Sequence, residues 1–262
     1  MTLSIRTFFS ELSASRNVLA QLITQQLILR YRRTAMGYLW TLLNPLLMMT
    51  VMALVFATLF KADLKTFAVF LFTGMIPWNF FNATVTQSSG AFISNEGLIK
   101  KIYIPKAIFP LSIACAMLID SMLSFLALFL IILAIGGSVT WAVLFIPVAY
   151  LLLFVFALGI GVVMATVTVF FRDLQHVMLI AMQGLFFLTP VLYKHTALAG
   201  KVGWLVGLNP VVPYIELFRA PLYLGRLPDA DVILRAVIYA VLSILIGGAI
   251  FLRQEKKIVF RL

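Results

Sequence analysis

The 262-residue chain is 63% hydrophobic and 11% charged, with a mean hydropathy of +1.09. Soluble domains carry roughly 45–50% apolar and about 25% charged residues, so this chain lacks the polar surface to coat a water-soluble particle, and its apolar dominance excludes disorder. The net charge of +11 comes from 20 Lys and Arg against 9 Asp and Glu. In a lipid-embedded chain such an excess marks the cytoplasmic border rather than a nucleic-acid surface, so no nucleic-acid partner is expected.

Residues 1–30 hold Arg6, Arg16 and Gln21, Gln25 and Gln26, without the unbroken apolar core of a cleavable signal peptide. Between 17 and 33, Leu19, Leu22, Ile23 and Leu27 share one helical face, and Gln21, Gln25 and Arg32 lie largely off it. This predicts an amphipathic helix in the membrane interface, with a soluble cap as the alternative. Six apolar runs then follow at about 38–60, 66–92 (holding Pro77), 107–135, 141–171, 177–193 and 232–252. Each approaches the roughly 20 residues that cross a bilayer as a helix. They are continuous rather than alternating, which favours helices over a barrel. The expected fold is an all-α polytopic membrane protein. It has an N-terminal segment at 1–33, a transmembrane domain at 34–252 and a basic tail at 253–262.

Basic residues set the orientation. With the N-terminus inside, thirteen of the 20 Lys and Arg fall on cytoplasmic segments. Most of the remainder lie on or just after one long outer loop, where the charge rule is weak. Six spans with both termini in the cytoplasm are therefore expected.

Three segments between spans stand out. Inside, Asn95-Glu96-Gly97-Leu98-Ile99-Lys100-Lys101 leads to Ile102, Tyr103 and Pro105. Leu98, Ile99, Ile102 and Tyr103 can share a helical face, as in a short helix that docks on a partner; a purely topological anchor is the bland alternative. The tight turn at Arg172 and Asp173 places an acid where it would cap the next helix. Outside, residues 204–224 are too apolar for a solvated loop and too broken by Pro210, Pro213 and Pro221 for a span. Short re-entrant helices buried in protein suit them, and Glu216 and Arg219, at i and i+3, are placed to neutralise one another.

Chemical motifs are sparse. There is no GxxxxGK[ST] nucleotide loop, no GxSxG and no HExxH. A lone Cys115 allows no intrachain disulfide and no Cys-based metal site, and His176 and His195, 19 positions apart, form no ligand pair with helical spacing, so no metal is expected. Asp120, near the middle of the third span, is the one acid deep in an apolar run. It costs about 2.5–3.5 kcal/mol on insertion scales and reads as a packed or path-lining group ahead of a proton site. Ala157, Gly161 and Ala165 form a small-residue stripe for helix packing. Phe70, Phe72, Trp78, Phe80 and Phe81 on the second span, with Phe186, Phe187 and Tyr193 on the fifth, are candidate aromatics of a pathway. Border aromatics are also common in any membrane protein.

Leu29-Arg30-Tyr31-Arg32-Arg33-Thr34-Ala35-Met36-Gly37-Tyr38-Leu39-Trp40 followed by Asn44-Pro45 resembles the start of ABC-2 type permeases that export polysaccharides. Gly74-Met75-Ile76-Pro77-Trp78, the 98–105 stretch, Phe170-Phe171-Arg172-Asp173, Thr189-Pro190-Val191-Leu192-Tyr193 and Asn209-Pro210 resemble later family segments, in order, from about 20 to 255. Met36 stands where Leu is common, which conserves apolar volume. The resemblance implies the membrane subunit of an O-antigen, capsule or teichoic-acid exporter in a bacterial inner membrane. It further implies a homodimer of this chain and two copies of a separate ATPase subunit, which would hold ATP and Mg; this chain would bind no cofactor. Residues 95–101 would be the ATPase contact. Arg30, Arg32 and Arg33, with Lys100 and Lys101, would meet the pyrophosphate of a lipid-linked polysaccharide or only anchor the chain to membrane lipid. Asn209, Pro210, Glu216 and Arg219 would belong to an outer gate. The rival readings are a drug exporter of the same fold, a proton-coupled carrier using Asp120 and a membrane enzyme acting on lipid-linked sugar.

Overall fold

A computed structural model describes residues 14–30, 36–134, 140–193 and 203–262. Among them every regular element is helical. The helices are α1 (Arg16–Arg30), α2 (Trp40–Leu59), α3 (Leu64–Ser89), α4 (Glu96–Lys101), α5 (Ile108–Ala134), α6 (Ile146–Thr168), α7 (Leu174–Leu188), α8 (Gly203–Leu208), α9 (Val212–Leu222) and α10 (Ala230–Arg261). Short 3₁₀ turns, Gly37–Leu39 and Trp141–Phe145, lead into α2 and α6.

Four described helical segments are long and apolar enough to cross a membrane: Leu64–Ser89, Ile108–Leu133, Trp141–Thr168 and Ala230–Arg261. Two further apolar stretches, Leu43–Leu59 and Leu174–Leu188, are shorter, where the sequence predicts six spans. Pro190 shortens α7. The residue before a proline is driven out of the α region, and Thr189 is extended at φ −98°, ψ 128°.

Helix α3 is the hub. It packs against α6, α5, α2, α9 and α7, and 67% of its most apolar window is buried against at most 39% for the other long helices. The most extensive pairing is α6 with α10. Helix α1 packs on α5, with Leu22 buried and Leu19, Ile23 and Leu27 against the core. Gln21 and Gln25 are exposed, so this helix has the two faces its periodicity predicts.

The connections obey local chemistry. Lys61 takes the left-handed conformation at φ 51°, and the Ala62 amide bonds back to Ala57, closing the end of α2 as a Schellman-type turn. Asp63 then caps α3 through the Thr66 amide at 2.9 Å and the Thr66 hydroxyl at 2.8 Å. Those two hydrogen bonds hold its carboxyl below the usual carboxylate range. Pro sits in the first turns of α6 and α9, where a missing N–H costs nothing.

Residues 253–261, predicted as a tail, continue α10. The hydropathy of the run ends at Arg253, but Gln, Glu and Lys are good helix formers. Ile258 is buried, Phe251 stacks on Phe92 at 6.3 Å, and Glu255 lies 3.9 Å from Lys106. At 32 residues, α10 is about 48 Å long, well beyond the roughly 30 Å of a hydrocarbon core.

Candidate functional site

Helix α4 lies between the ends of α3 and α5, beside the Phe170–Asp173 turn. The Asn95 amide donates to the Ala91 carbonyl at 2.8 Å, joining the helix to the end of α3. Lys100 pairs with Glu96 at 2.6 Å. The hydrogen bond and charge of Lys100 hold the Glu96 carboxyl below its ordinary range, with Arg172 a weaker contributor. An acid in the first turn and lysines in the last also suit the helix dipole. The four apolar residues predicted on one face divide. Leu98 and Ile99 turn inward against the core, whereas Ile102 is 56% and Tyr103 80% exposed. The division follows from the helix ending at Lys101, since Ile102 is already extended at φ −133°. Gly97, Lys100 and Lys101 are exposed beside Ile102 and Tyr103, giving a small apolar-and-basic surface.

Asp173 departs from the expected cap. It occupies the cap position of α7 with αR backbone, φ −64°, and its side chain makes no capping bond. Its carbonyl instead accepts from His176 and Val177. An extended backbone is what aims a cap side chain at the first turn, and the tight turn denies it here. Arg30 ends α1 with its side chain outside the described set, and Arg32 and Arg33 lie outside the described residues.

A second surface forms where α2, α3 and α7 meet. A groove of about 670 Å³ runs between Met48 and Met52 on α2, Met75, Trp78, Asn82 and Thr86 on α3, and Leu179, Met182, Gln183, Phe186 and Phe187 on α7. Trp78 lies 5.4 Å from Phe186, which meets Phe187 edge-on at 5.5 Å. The Asn82 Oδ1 is buried without a hydrogen-bond partner among the described residues, an acceptor that needs a donor. Trp78, Phe186 and Phe187 are thus the predicted aromatics brought together. Asn82, Gln183 and the methionines are groove residues that sequence reasoning missed; amides inside apolar runs were the available signal.

The other predicted aromatics lie elsewhere. Phe70, Phe72, Phe80 and Phe81 are buried within the chain, as is Trp78 in the groove wall, so the exposed ring of the groove is Phe187. Phe81 stacks on Phe156 at 5.3 Å and Phe156 on Tyr214 at 4.6 Å, joining α3, α6 and α9. Tyr193 donates to the Phe187 carbonyl at 2.8 Å. Asp120 lines a separate cavity of about 170 Å³ with Asn79, Ser121 and Ser124, among apolar residues of α2, α3 and α5. Ser121 is tied to Tyr150, whose hydroxyl donates to its carbonyl at 3.0 Å.

At the other end, α8 and α9 flank Asn209 and Pro210. The Asn209 amide donates to Thr189 Oγ1 at 2.8 Å and the Leu188 carbonyl at 3.3 Å, and its Oδ1 accepts from the Val211 amide at 2.9 Å. It therefore fastens the start of α9 to the end of α7. Tyr214 donates to the Ala236 carbonyl on α10 at 2.8 Å. Arg219 donates to the Pro190 and Val191 carbonyls at 2.9 and 3.1 Å, and its guanidinium lies 3.8 Å over the Phe70 ring, a cation–π arrangement. Glu216 adds the predicted attraction to this cation. Nine of the eleven residues of α9 are buried, as irregular backbone at membrane depth requires.

The family described as ABC-2 type transporter matches residues 18–223. An O-antigen export system permease protein RfbA from Myxococcus xanthus is 32% identical over 243 residues, 92% of this chain and 94% of its own. A protein of the same name from Klebsiella pneumoniae is 29% identical across 78% of this chain and 79% of its own. The polysialic acid transport protein KpsM of Escherichia coli is 23% identical across 90% and 92%.

Proposed function

The chain belongs to the ABC-2 type transporter family, and from that membership we propose that it is the permease subunit of an ATP-driven exporter carrying lipid-linked polysaccharide of the O-antigen kind across a bacterial inner membrane. The relatives' names support the cargo class. The O-antigen permease of Myxococcus xanthus, at 32% identity, stands nearer than the polysialic acid transporter, at 23%, which ranks O-antigen above capsule.

The observation that carries the reading is the groove between α2, α3 and α7. A sugar ring has C–H faces that lie on aromatic rings and a rim of hydroxyl donors. The exposed Phe187 and the half-buried Phe186 offer the first kind of contact, and Asn82, whose Oδ1 lacks a partner among the described residues, borders the same groove for the second. Methionines adapt to irregular shape, which suits a polymer that must slide rather than stay bound.

In this reading six spans cross the membrane with both termini in the cytoplasm, and two copies of the chain pair so that their grooves border one path. Two separate ATPase subunits hold ATP and Mg and press on the 95–101 segment. Arg30, Arg32 and Arg33 meet the pyrophosphate of the lipid end, because cations at a bilayer border suit phosphate. Residues Asn209, Pro210, Glu216 and Arg219 hold the outer gate in place.

The test is translocation of a lipid-linked glycan in vesicles containing this chain and a co-purified ATPase. Export that requires ATP hydrolysis and persists in Asp120→Asn is expected. Export by the chain alone, driven by a proton gradient and abolished by Asp120→Asn, would overturn the reading in favour of a proton-coupled carrier.

A further inference from the structure

Where the apolar run of α10 gives way to charged sequence, one side of the helix presents Ile250, Gln254, Lys257 and Arg261 toward the end of α6 and the turn after it. Thr166, Val167, Phe170 and Phe171 form the facing wall, and a groove of about 540 Å³ lies between. That volume falls within the roughly 300–1,000 Å³ of small-ligand clefts.

The chemistry changes along the groove. Val167, Ile250, Phe170 and Phe171 make an apolar stretch, with Phe171 70% exposed. Lys257 and Arg261 make a cationic end, and among the described residues no acid lines the groove. Glu255, the nearby carboxylate on the same helix, turns to Lys106 instead. Gln254 contributes a buried Oε1 without a hydrogen-bond partner among the described residues. The location is a membrane border: α10 passes here from apolar to charged sequence, and Phe92, Phe109 and Phe251 cluster at the same level.

An apolar wall, a cationic end and an orphaned acceptor define an amphipathic ligand with an anion and a hydroxyl or amine donor. We propose that this groove holds an anionic glycerophospholipid of the surrounding leaflet, with a hydroxyl-bearing headgroup. Its phosphate lies between Lys257 and Arg261, a headgroup hydroxyl donates to Gln254 Oε1, and its acyl chains lie over Phe170 and Phe171. Charge complementarity selects a lipid over an apolar protein segment, which would leave two cations unmatched. The apolar wall selects it over a soluble phosphate compound, which would leave Phe171 and Ile250 in water. The lipid would brace α6 against α10 at the end where that pair leaves the membrane, whatever the exporter carries.

The test uses the full chain in nanodiscs of phosphatidylcholine, with Phe171→Trp as a reporter read against the unsubstituted chain. Brominated phosphatidylglycerol at low mole fraction should quench the introduced indole far more than brominated phosphatidylcholine. Lys257→Gln with Arg261→Gln should reduce that preference roughly tenfold or more, as expected for two cations at an anionic headgroup. Lys61→Gln with Lys65→Gln, an equal charge loss at the other border, should leave it intact. Gln254→Leu should erase any preference for phosphatidylglycerol over phosphatidylmethanol, which is anionic but lacks the hydroxyl. Native mass spectrometry of the unsubstituted protein provides a readout independent of variant folding, with phosphatidylglycerol retained over phosphatidylcholine. Equal quenching by both lipids, or a preference unmoved by the paired substitutions, overturns the proposal. Displacement by a polyprenyl pyrophosphate also overturns it, because the groove would then belong to the cargo.

Discussion

Gly159 of α6 and Gly247 of α10 lie back to back, so close that a Cβ built on Gly247 would stand 2.5 Å from the Gly159 carbonyl oxygen. A Cβ on Gly159 would stand 2.4 Å from the backbone carbonyl carbon of Ser243. Backbone cannot move aside as a side chain can, so Gly159→Ala should cost about 1–3 kcal/mol, as overpacking does. Gly161→Ala should cost less, because its obstacle is the Ser88 hydroxyl at 2.9 Å, and a side chain can turn. Gly184 has nothing within 4 Å of its Cβ position, so Gly184→Ala should be neutral or stabilise by roughly 0.5–1 kcal/mol through helix propensity. Reversible unfolding in mixed micelles should rank the three in this order. A Gly159→Ala protein as stable as Gly184→Ala would show that α6 and α10 are not in contact here.

Arg219 clamps the outer helices. Its two hydrogen bonds satisfy carbonyls just beyond the end of α7, and Gly74 leaves room for its guanidinium, since a Cβ there would sit 2.7 Å from Arg219 Nη2. Hydrogen bonds to a charged group contribute roughly 1.5–3 kcal/mol each. Arg219→Gln should therefore lower stability markedly. Arg219→Lys should rescue little, because one ammonium cannot reproduce the planar fork. Gly74→Val should mimic the loss by displacing the same guanidinium. Hydrogen exchange across 189–193 and α9 should rise in all three variants, and unchanged protection in Arg219→Gln would remove the clamp from the account.

What the sequence reveals tracks the range of the interaction that determines it. The two-faced α1 and the cap at Asp63 depend on near neighbours, and periodicity and turn chemistry expose the first directly. The stripe Ala157, Gly161 and Ala165 is buried as expected, yet the tightest crossing is at Gly159, one face over. Spacing reveals that small residues recur, but not which neighbour each one meets. The division of Leu98 and Ile99 from Ile102 and Tyr103 depends on a helix that stops after six residues, and boundary errors of that size move a side chain to another face. The groove was half legible. Aromatic clustering points to the right spans, but only three-dimensional packing separates the exposed Phe187 from Trp78, Phe80 and Phe81, all of them buried.

The Asp63 cap carries a pH signature. Its carboxyl is depressed in the folded state by the Thr66 bonds, so its contribution is fully present above the ordinary value of 3.8. That contribution is lost as pH falls through the lower folded value. Protection factors at the first amides of α3 should hold down to that region and drop below it. Asp63→Asn keeps an acceptor at the cap and should flatten the response, whereas Asp63→Ala should fray α3 at every pH. A response unchanged in Asp63→Asn would assign the titration to another group.

The exposed pair Ile102 and Tyr103 separates docking from packing at α4. Tyr103→Ala with Ile102→Ala removes apolar area from the outer side and should reduce co-purification of the partner ATPase while leaving the permease's own thermal stability within about 0.5 kcal/mol, as for surface changes. Leu98→Ala removes a side chain packed on the core and should show the opposite pattern. Full ATPase retention in the double variant would mean that the partner grips elsewhere.

The groove makes the sharpest demand on the proposed activity, since its two chemistries should fail differently. Phe187→Ala deletes the exposed ring that meets Phe186 edge-on, and sugar-stacking platforms lose binding when the ring goes while tolerating another aromatic. Phe187→Tyr should therefore retain most export in vesicles and Phe187→Ala little, with ATP hydrolysis continuing in both. Asn82→Leu fills similar volume but removes the orphaned acceptor. A buried unsatisfied acceptor costs about 1–3 kcal/mol, so this variant should be more stable than the parent and yet export glycan more slowly. Stability and transport moving in opposite directions is what a residue kept for its cargo would show. If Asn82→Leu gained stability and exported at the parental rate, the acceptor would have no cargo to meet, and the path would have to run along another face.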